Sequence, residues 1–307
     1  MIHETLEKHF IYVGKVQLHV VTAGPEDGEP VFLLHGFPEF WYGWRNQIAF
    51  LAEQGYRVIV PDQRGYNLSD KPKGASNYTL DTLANDVTNL ADHFGYETFN
   101  LVGHDWGALV AWWVATVSPE RLRKLVILNV PYPTVAIEQF NSGNLSQFLK
   151  SWYIGFFQVP FVPETLISLG DYEPFARGMQ QNANKGSFTD EDMVEYRRAW
   201  SQPGAMTAMI NWYRALTISV NNGLARRARH IPTPTLMLWG ENDVALGREL
   251  ALPSIQKCDD GELVYYPNAT HWIQHDEAED VNQEILIFLQ APLEDTETDE
   301  TPEPAEA

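Results

Sequence analysis

The chain has little basic charge, one cysteine and no long hydrophobic run. Its 307 residues contain 21 Lys and Arg against 41 Asp and Glu, which gives a formal net charge of −20. An acidic protein repels nucleic-acid phosphates, so we expect no nucleic-acid partner. The single cysteine, Cys258, cannot form a disulfide within the chain and has no sequence neighbour that suggests catalysis.

Two further absences concern the membrane. No apolar run approaches the roughly 18 residues of a membrane helix, and the first thirty residues lack an apolar segment after basic ones. We therefore predict a cytoplasmic protein without a membrane span. The last residues, 292–307, hold seven acidic residues and no basic ones, which predicts a disordered acidic tail. Salt adaptation is an alternative explanation for the net negative charge that remains when this tail is not counted.

What is present is an alternation of apolar runs and helical stretches. Short runs near 31–35, 57–61, 99–103, 124–129, 234–239 and 262–266 predict an α/β fold with a mostly parallel sheet flanked by helices. The rhythm stops between 132 and 230, where helical stretches such as 190–199 and 205–218 predict an inserted helical cap domain. The expected division is a core of 1–131 and 231–291 and a cap of 132–230, with prolines at both entrances.

The motif Gly103-His104-Asp105-Trp106-Gly107 follows an apolar run and opens a helical stretch, as a nucleophile elbow does. The elbow carries Asp where Ser is usual. A carboxylate that attacks a saturated carbon becomes an alkyl ester, and water can cleave that ester at the enzyme's own carbonyl. Asp105 therefore predicts substrates that alkylate, such as epoxides or alkyl halides. Taken alone the motif is weak, because an Asp after a strand is usually a helix N-cap.

Other segments stand where such a site needs them. The run 31–34 ends in His35-Gly36-Phe37-Pro38-Glu39, a turn whose Phe37 N–H could pair with the Trp106 N–H as an oxyanion hole. Asp243 follows the run 235–239, and His271 follows the run 263–266. Asp259 and Asp260 compete with Asp243 as the acid, but they precede the predicted strand instead of following it.

These motifs together resemble the α/β-hydrolase fold epoxide hydrolases. The likeness spans about residues 8–290 and rests on HGFPEFWYGWRNQI from His35, DQRGY from Asp62, the elbow, and NATHW from Asn268. It implies an α/β-hydrolase fold and a catalytic set of nucleophile, base, orienting acid and oxyanion donors: Asp105, His271, Asp243, Phe37 and Trp106. It also implies a structural turn of His35, Gly36 and Pro38 with a cis Phe37–Pro38 peptide. The chain departs from the family at Asn67, where Gly is usual, and Asn tolerates the left-handed backbone expected there.

The resemblance extends to the acid that opens the epoxide. An alkoxide is a poor leaving group unless a donor protonates it. Tyr153 and Tyr213 lie in segments that resemble those supplying the family's two acid tyrosines, whereas Tyr172 and Tyr196 are predicted to pack or to lie at the surface. The aromatic residues Trp152, Phe156, Phe157 and Phe161 predict an apolar cavity wall, hence a lipophilic or aryl epoxide.

Two alternatives stay open. Haloalkane dehalogenases also use an Asp nucleophile followed by Trp, although their turn commonly reads HGNP, where this chain has Phe37. A non-catalytic ligand-binding relative would not need the intact acid and base set. His104 is predicted either to support the site from behind or simply to pack, and the spacing of His271 and His275 is a poor metal signal without a third ligand. No metal or organic cofactor is expected, and the oligomeric state is not indicated.

Overall fold

Eight strands form one sheet in the order β1-β2-β4-β3-β5-β6-β7-β8. The computed structural model describes residues 6–141, 150 and 152–293. The strands are β1 (Glu7–Val13), β2 (Val16–Ala23), β3 (Pro30–Leu34), β4 (Arg57–Pro61), β5 (Phe99–His104), β6 (Leu122–Leu128), β7 (Thr235–Gly240) and β8 (Gly261–Tyr266). β2 is antiparallel to β1 and to β4, and every pairing from β4 to β8 is parallel. The predicted mostly parallel sheet is confirmed.

The hairpin of β1 and β2 is the part of the sheet that the apolar runs did not predict. It turns at Gly14, whose φ of 63° is open to glycine. β1 lies at the sheet edge, where Phe10 and Tyr12 face solvent while Ile11 and Val13 are buried. An edge strand has one buried face, so it lacks the continuous apolar run of a central parallel strand.

Helices cover both faces of the sheet and occupy the long insertion. In the described part of the chain the α-helices are α1 (Arg45–Glu53), α2 (Leu80–His93), α3 (Trp106–Val117), α4 (Pro133–Asn141), α5 (Trp152–Phe156), α6 (Val162–Ile167), α7 (Glu173–Gln181), α8 (Asp190–Trp200), α9 (Ala205–Asn221), α10 (Leu224–Arg227), α11 (Ala251–Ile255), α12 (Ile273–Asp276) and α13 (Ala278–Gln290). Short 3₁₀ helices span Trp41–Trp44, Ala75–Tyr78, Pro119–Arg121 and Arg248–Leu250.

The span between β6 and β7 is helical, with α4 to α10 in its described residues. The helices predicted near 190–199 and 205–218 are confirmed as α8 and α9. Thr189 and Asp192 close a capping box at the start of α8, which satisfies two of its free backbone donors. Two indoles from this span donate to the core, Trp200 to the Pro38 carbonyl at 2.6 Å and Trp212 to the Arg64 carbonyl at 3.0 Å. The division into core and cap at 132 and 230 stays a prediction.

Two expectations from composition concern a membrane span and the acidic tail. In the residues that the structure describes, no helix is long and apolar enough to cross a bilayer. The predicted disordered tail lies outside the described residues from 294 onward.

Candidate active site

Asp105 sits between the end of β5 and the start of α3. Its φ is 51° and its ψ is −124°, a backbone conformation that is costly for a residue with a side chain and that is typical of functional sites. The helix packs so closely on the sheet that a Cβ at Gly107 would overlap the Leu34 carbonyl. The elbow therefore requires glycine at this position, and it points the Asp105 carboxylate away from the strand.

The turn after β3 brings a backbone donor to that carboxylate. The Phe37 N–H donates to Asp105 Oδ1 at 2.6 Å, and the Phe37–Pro38 peptide is cis as predicted. A Cβ at Gly36 would overlap the Asp105 side chain. Trp106 is the first residue of α3, so its N–H has no carbonyl partner within the helix. One of the two predicted oxyanion donors thus contacts Asp105 directly, and the role of the Trp106 N–H stays a prediction.

His35 fixes the same turn against the next strand. Burial lowers the pKa of His35, which keeps the ring neutral. Its Nδ1 donates to the Gly36 carbonyl at 3.1 Å, and its Nε2 accepts the Gln63 N–H at 3.0 Å. Asn67, at the departure from the family pattern, has a φ of 39° and donates to Asp62 at 2.8 Å. The left-handed backbone expected there is confirmed.

His271 lies between two carboxylates. Its Nε2 is 3.5 Å from Asp105 Oδ2, and its Nδ1 is 2.7 Å from Asp243 Oδ2. The other oxygen of Asp243 accepts the N–H groups of Ala245 and Leu246 at 2.7 and 2.9 Å. Asp259, the competing acid, forms an exposed ion pair with His230 instead. The structure therefore brings together the three residues that the motifs predict.

The charges of this group stabilise one another in a buried site. Burial opposes charge on His271, yet Asp243 and Asp105 raise its pKa well above the ordinary value. Burial likewise opposes charge on the two carboxyls, and the bonds and charge of His271 hold their pKa values below the ordinary one. At neutral pH the resting site holds an imidazolium between two carboxylates.

Tyr153 of α5 and Tyr213 of α9 face Asp105 across a cavity of about 430 Å³. Their ring centroids are 5.9 Å apart at 84°, and the indole of Trp106 stands edge-on to Tyr213 at 4.9 Å. Burial, and then the charge of Asp105, raises the pKa of both phenols. Both hydroxyls therefore keep their protons at neutral pH and can donate.

The wall of the cavity is largely apolar, as predicted, and it contains three of the four aromatic residues expected there. Trp152, Phe156 and Phe157 line the cavity together with His271. Phe161 does not, because its side chain is 80% exposed. It occupies a left-handed turn, with a φ of 65°, directly before α6, and its ring stands outside the protein. The expectation that Phe161 forms part of the wall is wrong.

Comparison with known proteins agrees with this geometry. Residues 29–278 match the family described as alpha/beta hydrolase fold. Epoxide hydrolase 1 of Caenorhabditis elegans is 39% identical over 93% of this chain and 71% of its own length, and human epoxide hydrolase 4 is 39% identical over 89% and 76%. The AB hydrolase superfamily protein YfhM of Bacillus subtilis is 45% identical over 91% and 96%.

The chain belongs to the epoxide hydrolases of the α/β-hydrolase fold family. Solved structures extend the likeness to three dimensions. A Bacillus megaterium epoxide hydrolase in complex with an inhibitor superposes with a TM-score of 0.84 at 29% identity, covering 92% of this chain and all of that one. An epoxide hydrolase from Vigna radiata gives 0.81 at 27% identity, covering 93% and 98%.

Asn129 is a site residue of this epoxide hydrolase relative that the sequence did not indicate. It follows β6 with a φ of 51°. Its side-chain N–H donates to Asp243 Oδ2 at 2.9 Å, and its oxygen accepts the Gly240 N–H at 2.7 Å. Asn129 thereby fixes both the acid and the end of the strand before it. An Asn after a strand reads as an ordinary turn residue, so only the burial of this one sets it apart.

A second buried cluster lies behind His271, centred on Glu39. Glu39 accepts the Tyr196 hydroxyl at 2.6 Å, the Gln274 amide at 2.9 Å and His275 Nε2 at 2.8 Å. Burial would raise the pKa of Glu39, but His275 and His104 hold it well below the ordinary range. Glu39 is therefore an anion in the interior. The sequence placed it in the turn motif without assigning it a role.

This cluster accounts for two further histidines, His104 and His275, and corrects the expectation for Tyr196. His104 donates from Nε2 to the His271 carbonyl at 2.7 Å, so it lies behind the base. His275 accepts from Arg45 at 3.1 Å and donates to Glu39, and no group of residues suited to a metal ion occurs in the described chain. Tyr196 is buried and hydrogen-bonded to this anion, not packed in a purely apolar contact or exposed. Tyr172 is half-buried and donates to the Trp200 carbonyl at 3.1 Å.

The charge on Asp105 should control the protonation of His271. In Asp105→Asn the negative charge that raises the pKa of His271 is gone while Asp243 remains, so that pKa should fall toward the ordinary value. An NMR titration of the His271 ring in both proteins would measure this. Equal pKa values in the two proteins would mean that Asp243 alone sets the protonation of the base.

Proposed function

We propose that this protein hydrolyses a lipophilic or aryl epoxide to a vicinal diol through a covalent ester on Asp105. The observation that carries the proposal is the arrangement around one apolar cavity. The Asp105 carboxylate, backed by His271 and Asp243, lines this cavity together with Tyr153 and Tyr213, whose hydroxyls keep their protons. Relatives that carry the name epoxide hydrolase support this reading.

In the first step Asp105 attacks a ring carbon of the epoxide. Oδ1 is held by the Phe37 N–H, so Oδ2 is the attacking oxygen and Oδ1 becomes the ester carbonyl. The carbon–oxygen bond of the ring breaks, and the departing oxygen takes a proton from Tyr153 or Tyr213. This donation matters because the largely apolar wall of the cavity offers few other groups to stabilise an alkoxide.

In the second step water cleaves the ester at Cγ of Asp105. Formation of the ester removes the charge of Asp105, one of the two charges that raise the pKa of His271. His271 can then pass its Nε2 proton to the phenolate that ring opening left on Tyr153 or Tyr213, and it then acts as a base toward water, with Asp243 holding its Nδ1–H. The oxyanion forms on Oδ1, where the Phe37 N–H already donates, and we assign the Trp106 N–H as the second donor. Of the two protons of the water, one returns to His271 and the other supplies the second diol hydroxyl, so every group regains its resting protonation.

The cavity sets the class of substrate. Its volume of about 430 Å³ is within the usual range for small-molecule sites, and the rings of Phe156 and Phe157 give it an apolar wall. A substrate with an aryl or alkyl group beside the epoxide would bury that group here. Removal of its apolar surface from water supplies most of the binding energy.

The proposal is tested by offering the protein styrene oxide and a bromoalkane separately. We expect diol from the epoxide, because the tyrosine donors can protonate the departing alkoxide. We expect no bromide from the bromoalkane, whose leaving group would make no use of these donors. Diol is measured by chromatography and bromide by ion-selective electrode. Release of bromide without diol would identify a haloalkane dehalogenase, and the absence of both products would identify a binding protein.

Replacing His271 by Gln should separate the two steps. Asp105 can still be alkylated, but no base activates water, so the ester should accumulate. Intact mass spectrometry after incubation with the epoxide should show an added mass equal to that of the epoxide, and peptide mapping should place it on Asp105. Normal turnover by this variant would transfer the role of base to another residue.

Replacing the two tyrosines by Phe tests the proton donors. Tyr153→Phe and Tyr213→Phe should each slow ring opening, and the double variant should lose almost all of it. The change removes one oxygen and keeps the aromatic volume, so the thermal midpoint should barely move. Tyr172→Phe, outside the cavity, is the matched control. Diol formation by the double variant near the wild-type rate would show that both tyrosines only pack.

A further inference from the structure

The base loop, residues 267–272 between β8 and α12, is linked to the helical insertion by the carboxylate of Asp276, among other contacts. Asp276 ends α12, five residues after His271. Its Oδ2 accepts the N–H and the hydroxyl of Thr270 at 2.7 and 2.5 Å, and Thr270 directly precedes the base. Its Oδ1 accepts the Asn184 N–H at 3.0 Å and the Ser187 hydroxyl at 2.5 Å. Each oxygen thus serves a different part of the chain.

Asn184 and Ser187 belong to the segment between α7 and α8, residues 182–189, which we term the cap loop. Asn184 also donates from its side chain to the Asn268 carbonyl of the base loop at 2.9 Å. Beside these polar contacts the ring of Phe188 packs on Trp272 at 5.5 Å and on His275 at 4.6 Å. The cap loop and the base loop therefore form one continuous contact with Asp276 at its polar centre.

The four donors to Asp276 are neutral groups, and none of the described ion pairs involves this carboxylate. Hydrogen bonds to an anion are stronger than those between neutral groups, and they hold their partners at short distances. Two of these bonds fix the backbone and side chain of Thr270. The position of the His271 backbone thus depends on where the cap loop holds Asp276.

Residues of the core also form bonds with the base loop. His104 donates to the His271 carbonyl, Asn129 lies 3.4 Å from the Thr270 carbonyl, and Asn242 donates to the Ala269 carbonyl at 3.0 Å. Those bonds connect the base loop to the core, whereas the Asp276 bonds connect it to the cap loop. The helical insertion also carries Tyr153 and Tyr213, so a shift of the cap would move the acids and the base together.

We propose that Asp276 is a positioning residue that sets the distance from His271 to the ester by tying the base loop to the cap loop. This inference rests on the proposed function. It assigns Asp276 to the second step, because only ester hydrolysis needs His271 to reach a water molecule near Cγ of Asp105. Alkylation needs Asp105 and the tyrosines, whose own hydrogen bonds do not include Asp276.

The test is single-turnover kinetics of Asp276→Asn with excess enzyme and styrene oxide. The Asn amide cannot accept all four bonds, so the base loop should lose one of its holds. We expect ester hydrolysis to slow about tenfold, since small displacements of a catalytic group have effects of this order or larger. Alkylation should stay within about twofold, as the first step does not use His271 as a base. Quenched samples report the alkyl-enzyme by mass and the diol by chromatography.

Arg197→Gln is the matched control, because it breaks an ion pair with Glu173 at 2.8 Å within the cap and does not reach the base loop. Both of its steps should match the wild type. Equal slowing of both steps in Asp276→Asn, or no slowing of hydrolysis, would overturn the inference. A wild type that forms neither alkyl-enzyme nor diol would remove the proposed function, and the inference with it.

Two milder variants keep the inference testable if Asp276→Asn fails to fold. Ser187→Ala removes a bond on the cap side. Thr270→Val removes the hydroxyl bond to Asp276 on the base side, together with the bond from the Trp272 N–H within the base loop. If the carboxylate transmits position, the two changes share one link, and their combined effect on ester hydrolysis should be smaller than the product of the single effects. A combined effect equal to that product would show that the two sides act independently and would contradict the inference.

Discussion

The site depends on the attraction between a buried imidazolium and two buried carboxylates. Burial opposes the charge of Asp105 and of Asp243, and the bonds and charge of His271 help to hold both pKa values below the ordinary one. In the proposed mechanism the same attraction keeps His271 protonated until the ester forms. Formation of the ester would neutralise Asp105 and so free His271 to act as the base of the second step.

This arrangement constrains the backbone around it. Asp105 adopts a positive φ so that its side chain leaves the elbow, and the close approach of α3 to β3 forces glycine at position 107. Asn129 adopts a positive φ at the end of the neighbouring strand and holds Asp243. Strained residues thus stand at adjacent parallel strand ends, where the sheet fixes them firmly enough to maintain the strain.

A further buried anion shows how far the polar interior extends. Glu39 connects the turn after β3 to Tyr196 of α8 and to His275 of α12. Arg45 continues this path, since it donates to His275 and to Asp192 at the start of α8. The helical insertion is therefore bonded to the core by charged groups as well as packed on it. Removing one partner would leave a charge without compensation, so these contacts hold the insertion in a defined orientation.

The sequence by itself determined the central sheet and predicted the chemistry of the site. Asp105 in the elbow, the order of Asp105, Asp243 and His271, and the apolar runs of β3 to β8 are local patterns, and local patterns can be read without distances. The exposed position of Phe161, the edge hairpin, Asn129 and the bonds of Glu39, Tyr196 and Asp276 were decided only by the tertiary structure. Their roles arise from partners far away in sequence, such as Glu39 and His275, 236 positions apart. Burial and pairing across such separations depend on the packing of whole elements, which no local window of residues contains.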